Sequence, residues 1–277
     1  MTSNLSVTVE SAAEVRRDVV RMIGMARSGR VASALSIVDI LVWLYGEVLS
    51  VRPDEPAWQD RDRFVLSKGH GCPALYAVLA GCGFFPRDEL WSYGRLGAML
   101  QGHPELRRTP GVDAPAGSLG MGLGLANGMA LALKGRRSTS RICCLAGDGE
   151  LQEGAFWEAA LVSSRHDLGN LLLVIDRNGL RGEGAAGEIV PLDSLKQKML
   201  SFGWSVEECD GHDFESLREG LSRLEALSAR PRCLLAKTRL GKGISFLEDD
   251  PSGGRMVLDR GTVDKALLEL EKEGDLL

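Results

Sequence analysis

Apolar residues Val15, Val19, Met22, Ile23 and Ala26 recur at helical spacing. Ser11-Ala-Ala-Glu14 stands before them with the spacing of a capping box, so a packing helix is expected from there to Ser28-Gly29. A second is expected from near Ser36, burying Ile37, Ile40, Leu41, Leu44 and Tyr45. After a polar, proline-bearing loop over 53–62 the pattern changes. Apolar runs of strand length occupy 63–67, 141–146, 171–175, 204–208 and 233–237. Between them lie helical patterns beginning near Pro73, over 156–162, and from the N-cap Asp213 through Leu217, Leu221 and Leu224. A short closing helix is expected over 262–272. Strands that alternate with helices predict an α/β fold, a parallel sheet with helices on both faces, in a single domain over 1–277.

In such a sheet the carboxyl ends of all strands share one edge, where open α/β folds bind ligands. The strands here end in polar or glycine-rich segments: 67–70, 147–149, 176–178, 210–212 and 238–242. Gly147-Asp148-Gly149 and Arg177-Asn178 are the most informative, because the βαβ unit between them brings both to that edge. A carboxylate and a carboxamide start the oxygen shell that Mg²⁺ accepts, with phosphate oxygens and water completing it, and the glycines let a diphosphate approach the backbone. Taken alone, either segment also reads as a surface turn.

The chain has 277 residues, 44% of them apolar, enough for an extensive core. A formal charge of −5 argues against a nucleic-acid or membrane-surface role, and the basic stretch 134–141 reads as a solvated loop. Six cysteines without a Cys-x-x-Cys indicate packed thiols in a reducing compartment, and no zinc site is readable. Cys143 and Cys144 should point to opposite faces of the sheet. The amino terminus lacks a signal-peptide pattern, so a cytoplasmic protein is expected. Of the remaining histidines, His212 could cap a helix or line the site, and His166 reads as solvated at a helix end.

Several segments together resemble the amino-terminal, diphosphate-binding half of transketolase, in particular the form split over two subunits. They are Asp62-Arg-Phe-Val-Leu-Ser-Lys-Gly-His70, Gly102-His103-Pro104-Glu105, Gly117-Ser-Leu-Gly-Met-Gly122, Gly147-Asp-Gly-Glu-Leu-Gln-Glu-Gly154, Asp176-Arg-Asn-Gly-Leu180 and the run 237–243. The resemblance implies a thiamine diphosphate-binding fold with Mg²⁺ or Ca²⁺ held by Asp148, Asn178 and the backbone carbonyl of Leu180. It implies that Gly149 and the turn Gly117, Ser118 and Leu119 approach the cofactor. His70 and His103 would contact the cofactor or the donor's oxygens, and Glu153 would lie at a subunit interface linking two active sites. The family's pyrimidine-binding half would follow, yet this sequence ends at Leu277. A carboxy-terminal transketolase subunit is therefore the expected partner, in an α2β2 assembly acting on a ketose phosphate.

Two departures from the family pattern bear on substrate. Split transketolases show Ser-Gly-His-Pro-Gly-Gly where this chain has Ser28-Gly29-Arg30-Val31-Ala32-Ser33, and Gly253 lies nearest a second missing histidine. Arg30 stays charged and cannot shuttle protons near neutrality. Transfer of a two-carbon ketol unit is expected, with an atypical acceptor conceivable, such as an aromatic or quinone compound of specialised metabolism. The alternatives are the alpha subunit of a 2-oxoacid dehydrogenase and a non-catalytic regulatory subunit. Nicotinamide enzymes and P-loop proteins fit less well, since Gly120-Met-Gly122-Leu-Gly124 and Gly241-Lys242-Gly243 complete neither motif.

Overall fold

A computed structural model of the chain describes residues 5–179, 194–226, 230–250 and 258–275. Its centre is a five-stranded sheet in the order β1-β2-β3-β5-β4, formed by β1 (Arg63–Leu66), β2 (Ile142–Gly147), β3 (Leu171–Arg177), β4 (Ser205–Asp210) and β5 (Arg232–Lys237). Every pairing is parallel. Gly147 is in register with Asp176, and Arg177 with Lys237, so the strand-end segments share one edge as expected.

The strands alternate their side chains between two apolar cores. Cys143, Leu145, Leu172 and Val174 pack on one face with α1 (Val9–Ala26), α2 (Val31–Leu35), α3 (Val38–Trp43), α4 (Cys72–Cys82), α8 (Phe214–Glu225) and α9 (Arg260–Asp275). Cys144, Ala146, Leu173 and Ile175 pack on the other with α5 (Gly122–Gly135), α6 (Gly154–Arg165) and α7 (Leu195–Ser201). Cys143 and Cys144 thus face opposite sides, and all six cysteines are buried and outside any disulfide. One stretch, Val31–Val48, is apolar enough to cross a membrane by composition, but 83% of it is buried against the core.

Two local expectations need correction. Helix α1 starts earlier than the capping-box spacing suggests: Thr8 is the N-cap and accepts from the Ser11 N–H, so Ser11 lies inside the helix. The helix expected from Ser36 is preceded by a separate short turn of helix, α2, because the chain breaks at Ile37 before α3 resumes. The sequence pattern gives no sign of helix α5, because four glycines (122, 124, 128 and 135) disguise it, glycine being a poor helix former. Packing supplies the reason for one of them. A Cβ on Gly122 would lie 2.4 Å from the Ser67 Cβ at the end of β1. Gly122→Ala is therefore expected to lower stability by about 1–3 kcal/mol in urea unfolding, the range for overpacked sites, although alanine favours helix. An unchanged or higher midpoint would show that Ser67 moves aside freely.

Candidate cofactor and active site

Lys68 and Asp176 leave β1 and β3 at the shared edge and are 2% and 0% exposed. Two charges so deep require each other. Lys68 Nζ lies 2.5 Å from Asp176 Oδ2, and the same oxygen accepts from Ser36 Oγ at 2.8 Å and Asn178 Nδ2 at 3.1 Å. Asp176 Oδ1 accepts from Thr238 Oγ1. Burial alone would raise the Asp176 carboxyl, but the Lys68 ammonium and these donors hold it below the usual carboxylate range. Because Asn178 spends its amide nitrogen on Asp176, its carbonyl oxygen becomes the acceptor end of the side chain.

Beside this pair, Asp148 follows β2 and is 3% exposed. Its Oδ2 accepts from the Gly179 N–H at 2.9 Å, which ties the loop after β2 to the loop after β3 and brings Asp148 and Asn178 to one place. Glu150, 1% exposed, braces the same corner: its carboxylate accepts from Ser67 Oγ at 2.6 Å, Gly120 N at 2.8 Å and Gly147 N at 3.0 Å. One carboxylate thereby fixes the exits of β1 and β2 and the turn before α5. Gly69 lets that turn close in, since a Cβ there would meet Ala116 Cβ at 2.8 Å.

His70 is half-buried, and its Nε2 lies 2.9 Å from Ser33 Oγ. Desolvation first, then the charges of Lys68, Arg30 and His103, push its pKa from 6.5 down to about 3, with Asp176 opposing. It is therefore a neutral imidazole at physiological pH. His103 is exposed on a loop whose backbone is pinned from α4, the Tyr76 hydroxyl donating to the carbonyls of Gln101 at 2.9 Å and His103 at 3.0 Å. Arg30 is the exposed N-cap of α2. Gly117, Ser118 and Leu119 are exposed on the turn before α5, and Glu153 is exposed at the start of α6, its Cβ against Gly120. Leu180 and Gly253 lie outside the described residues.

Among the described residues no group of three His, Cys, Asp or Glu could hold a metal. The donors available are instead one carboxylate and one carboxamide, Asp148 and Asn178, hard oxygens suited to a cation that also binds phosphate. Among the described residues, Cβ atoms built on Gly117, Gly149 and Gly179 would meet nothing within 4 Å, so these residues leave open space over all three. The residues present fit a metal-bound diphosphate.

Residues 7–254 match the family described as transketolase, thiamine diphosphate binding domain. The chain belongs to that family. It is 40% identical over 260 residues to a 6-deoxy-6-sulfo-D-fructose transketolase subunit of a Clostridium species, covering 94% of each chain. One of the apulose-4-phosphate transketolase subunits of Actinobacillus succinogenes is 38% identical over 258 residues, with 93% of each chain covered. Among solved structures, the transketolase of Campylobacter jejuni superposes with a TM-score of 0.88 at 30% identity, over 95% of this chain and 43% of that one. The chain thus spans less than half the length of the solved transketolase it resembles.

Sequence reasoning passed over Lys68, Asp176, Glu150 and Ser33. A charge closing an otherwise apolar strand, as Asp176 closes Leu171–Arg177, was the available signal, because it demands a buried partner. His212, left open, is structural: its Nδ1 lies 2.6 Å from Asp39 Oδ2 and its Nε2 accepts from the Arg239 N–H at 2.8 Å. His166 is exposed at the C-cap of α6.

Two outcomes test this geometry. Lys68→Met should cost about 3–5 kcal/mol of stability by stranding a buried carboxylate. His70 has a folded pKa depressed below its unfolded 6.5, so its contribution to stability is present above that value and is lost as pH falls from there toward 3. Wild type should therefore lose stability over this window in denaturant titrations more steeply than His70→Gln. Equal slopes would show that the imidazole protonates freely in the fold.

Proposed function

We propose that this chain is the cofactor-holding subunit of a two-chain transketolase, which moves a two-carbon ketol unit from a ketose phosphate to an aldehyde or ketone acceptor. The observation that carries the reading is that the strand-end cradle of Asp148, Asn178 and the open glycines sits in a chain matching transketolase subunits over nearly their whole length. In this reading Asp148, Asn178 and the Leu180 carbonyl would hold Mg²⁺ (or Ca²⁺), and Gly149 and the Gly117–Ser118–Leu119 turn would leave room for the diphosphate. Thiamine diphosphate, once bound, supplies the nucleophilic carbon that lets a carbon–carbon bond beside a carbonyl break and form. His70, neutral and held at Nε2 by Ser33, offers its other ring nitrogen for one hydrogen bond with a substrate or cofactor group without bringing a charge. His103, open to solvent, carries protons between the donor's hydroxyl and water.

The partner is a carboxy-terminal subunit with the pyrimidine-binding half, in an α2β2 assembly where Glu153 lies at the interface between cofactor-binding subunits. Six buried thiols, none in a disulfide, suit a reducing compartment and support a cytoplasmic location. The 2-oxoacid dehydrogenase and regulatory readings have less support, since the named relatives of matching length are transketolase subunits.

The test mixes this chain with its partner, thiamine diphosphate and Mg²⁺, and follows release of the shortened aldose phosphate from a ketose phosphate. Release is expected only when both chains are present and should stop when EDTA removes the metal. Asp148→Ala should weaken metal-dependent cofactor binding by at least about 10-fold, with folding retained. Release of CO₂ from pyruvate instead would favour the 2-oxoacid reaction.

A further inference from the structure

Three residues spaced three apart span the short helix α2, from its buried C-cap to its exposed N-cap. Ser36, 0% exposed, donates to buried Asp176. Ser33, 9% exposed, meets His70. Arg30 is exposed three residues before Ser33, at the N-cap of the same helix. The backbone is fixed there: the Ala34 N–H donates to the Arg30 carbonyl at 3.1 Å, and the Gly241 N–H from the loop after β5 donates to the Ala32 carbonyl at 3.0 Å.

The charges along this wall are unequally spent. The Lys68 ammonium is matched by Asp176. His70 carries no charge near neutrality. Arg30 has no ion pair within 4.0 Å among the described residues, although 38 acidic residues against 33 basic ones make the chain acidic. A guanidinium cannot discharge itself by losing a proton, and it presents a planar fork suited to a carboxylate.

We infer that Arg30 is the anion subsite for the acceptor, and that the acceptor carries a carboxylate directly on its carbonyl carbon, as a 2-oxo acid does. The inference rests on the ketol-transfer reading above and adds the substrate class. One helical turn, about 5 Å of rise, separates Arg30 from the residue that holds His70. An arginine side chain is long enough to cover that interval, so its guanidinium reaches a carboxylate carried on the carbon that His70 attends. In the transfer, the donor's C2–C3 bond breaks and its C3 hydroxyl loses a proton to become the aldehyde of the shortened sugar. The ketol carbon bonds to the acceptor's carbonyl carbon, whose oxygen gains a proton, so no oxidant or reductant is needed. Ser33 is the positioning residue: by engaging Nε2 it fixes which ring nitrogen of His70 faces the substrate.

The experiment uses the two-chain complex with thiamine diphosphate and Mg²⁺, a ketose phosphate donor, and three acceptors: glyoxylate, its uncharged counterpart glycolaldehyde, and ribose 5-phosphate. Wild type should favour glyoxylate over glycolaldehyde in kcat/KM. Arg30→Gln should lower the ratio of the two about 10- to 100-fold, mainly through KM for glyoxylate, and Arg30→Lys should restore part of it. Ser33→Ala should instead change the pH profile for both acceptors alike. An unchanged ratio in Arg30→Gln, with wild type active, overturns the inference and leaves the transketolase reading standing. A larger loss for ribose 5-phosphate than for glyoxylate also overturns it, assigning Arg30 to a distant phosphate. No aldose phosphate released by wild type with any acceptor overturns the transketolase reading itself, and the inference with it.

Discussion

The site depends on one buried ion pair. Lys68 and Asp176 come from β1 and β3, strands that do not touch because β2 lies between them. Their contact therefore crosses β2 at its exit, where Lys68 packs over Gly147: a Cβ there would lie 3.6 Å from Lys68 Cδ, an ordinary contact. Such a pair adds little net stability, because desolvation offsets most of the attraction. What it does is specify. A carboxylate that accepts from Lys68, Ser36, Asn178 and Thr238 draws α2, β1, the loop after β3 and the loop after β5 into one fixed arrangement.

A second buried cluster locks the flank of the sheet. Arg16 of α1 lies 2.5 Å from Asp39 of α3, whose same oxygen meets His212 after β4. Burial would raise the Asp39 carboxyl, but Arg16 and then His212 hold it below its ordinary value. His212 in turn accepts from the backbone of Arg239 after β5. The two clusters serve different ends. One fixes the edge beside the open space over Gly117, Gly149 and Gly179, while the other holds α1 and α3 to the sheet.

Much of this was legible in the sequence. Strand runs such as 171–175 and the N-cap Asp213 carry local signals strong enough to survive folding, and Asp213 does accept from the N–H groups of Glu215 and Ser216. The ordered segments from Asp62 to the run 237–243 identified the family. What stayed hidden depends on contacts distant in sequence. Glu150 reads as one more acid in a polar turn until Ser67 and Gly120 close on it, and α5 reads as a glycine-rich loop until Ser67 shows why Gly122 bears no side chain. Ser33 was visible only as a departure from the family pattern, and its contact with His70 needed the fold.

The central claim is that the Lys68–Asp176 pair preorganises the cofactor site rather than merely stabilising the chain. Removing both charges together, as Lys68→Met with Asp176→Leu, avoids stranding either one. The direct measurement is calorimetric titration of thiamine diphosphate with Mg²⁺ into the two-chain complex carrying this double substitution. The account predicts a folded complex whose cofactor affinity falls at least about 10-fold, because Asn178 loses its anchor. Wild-type affinity in a folded double variant would contradict it.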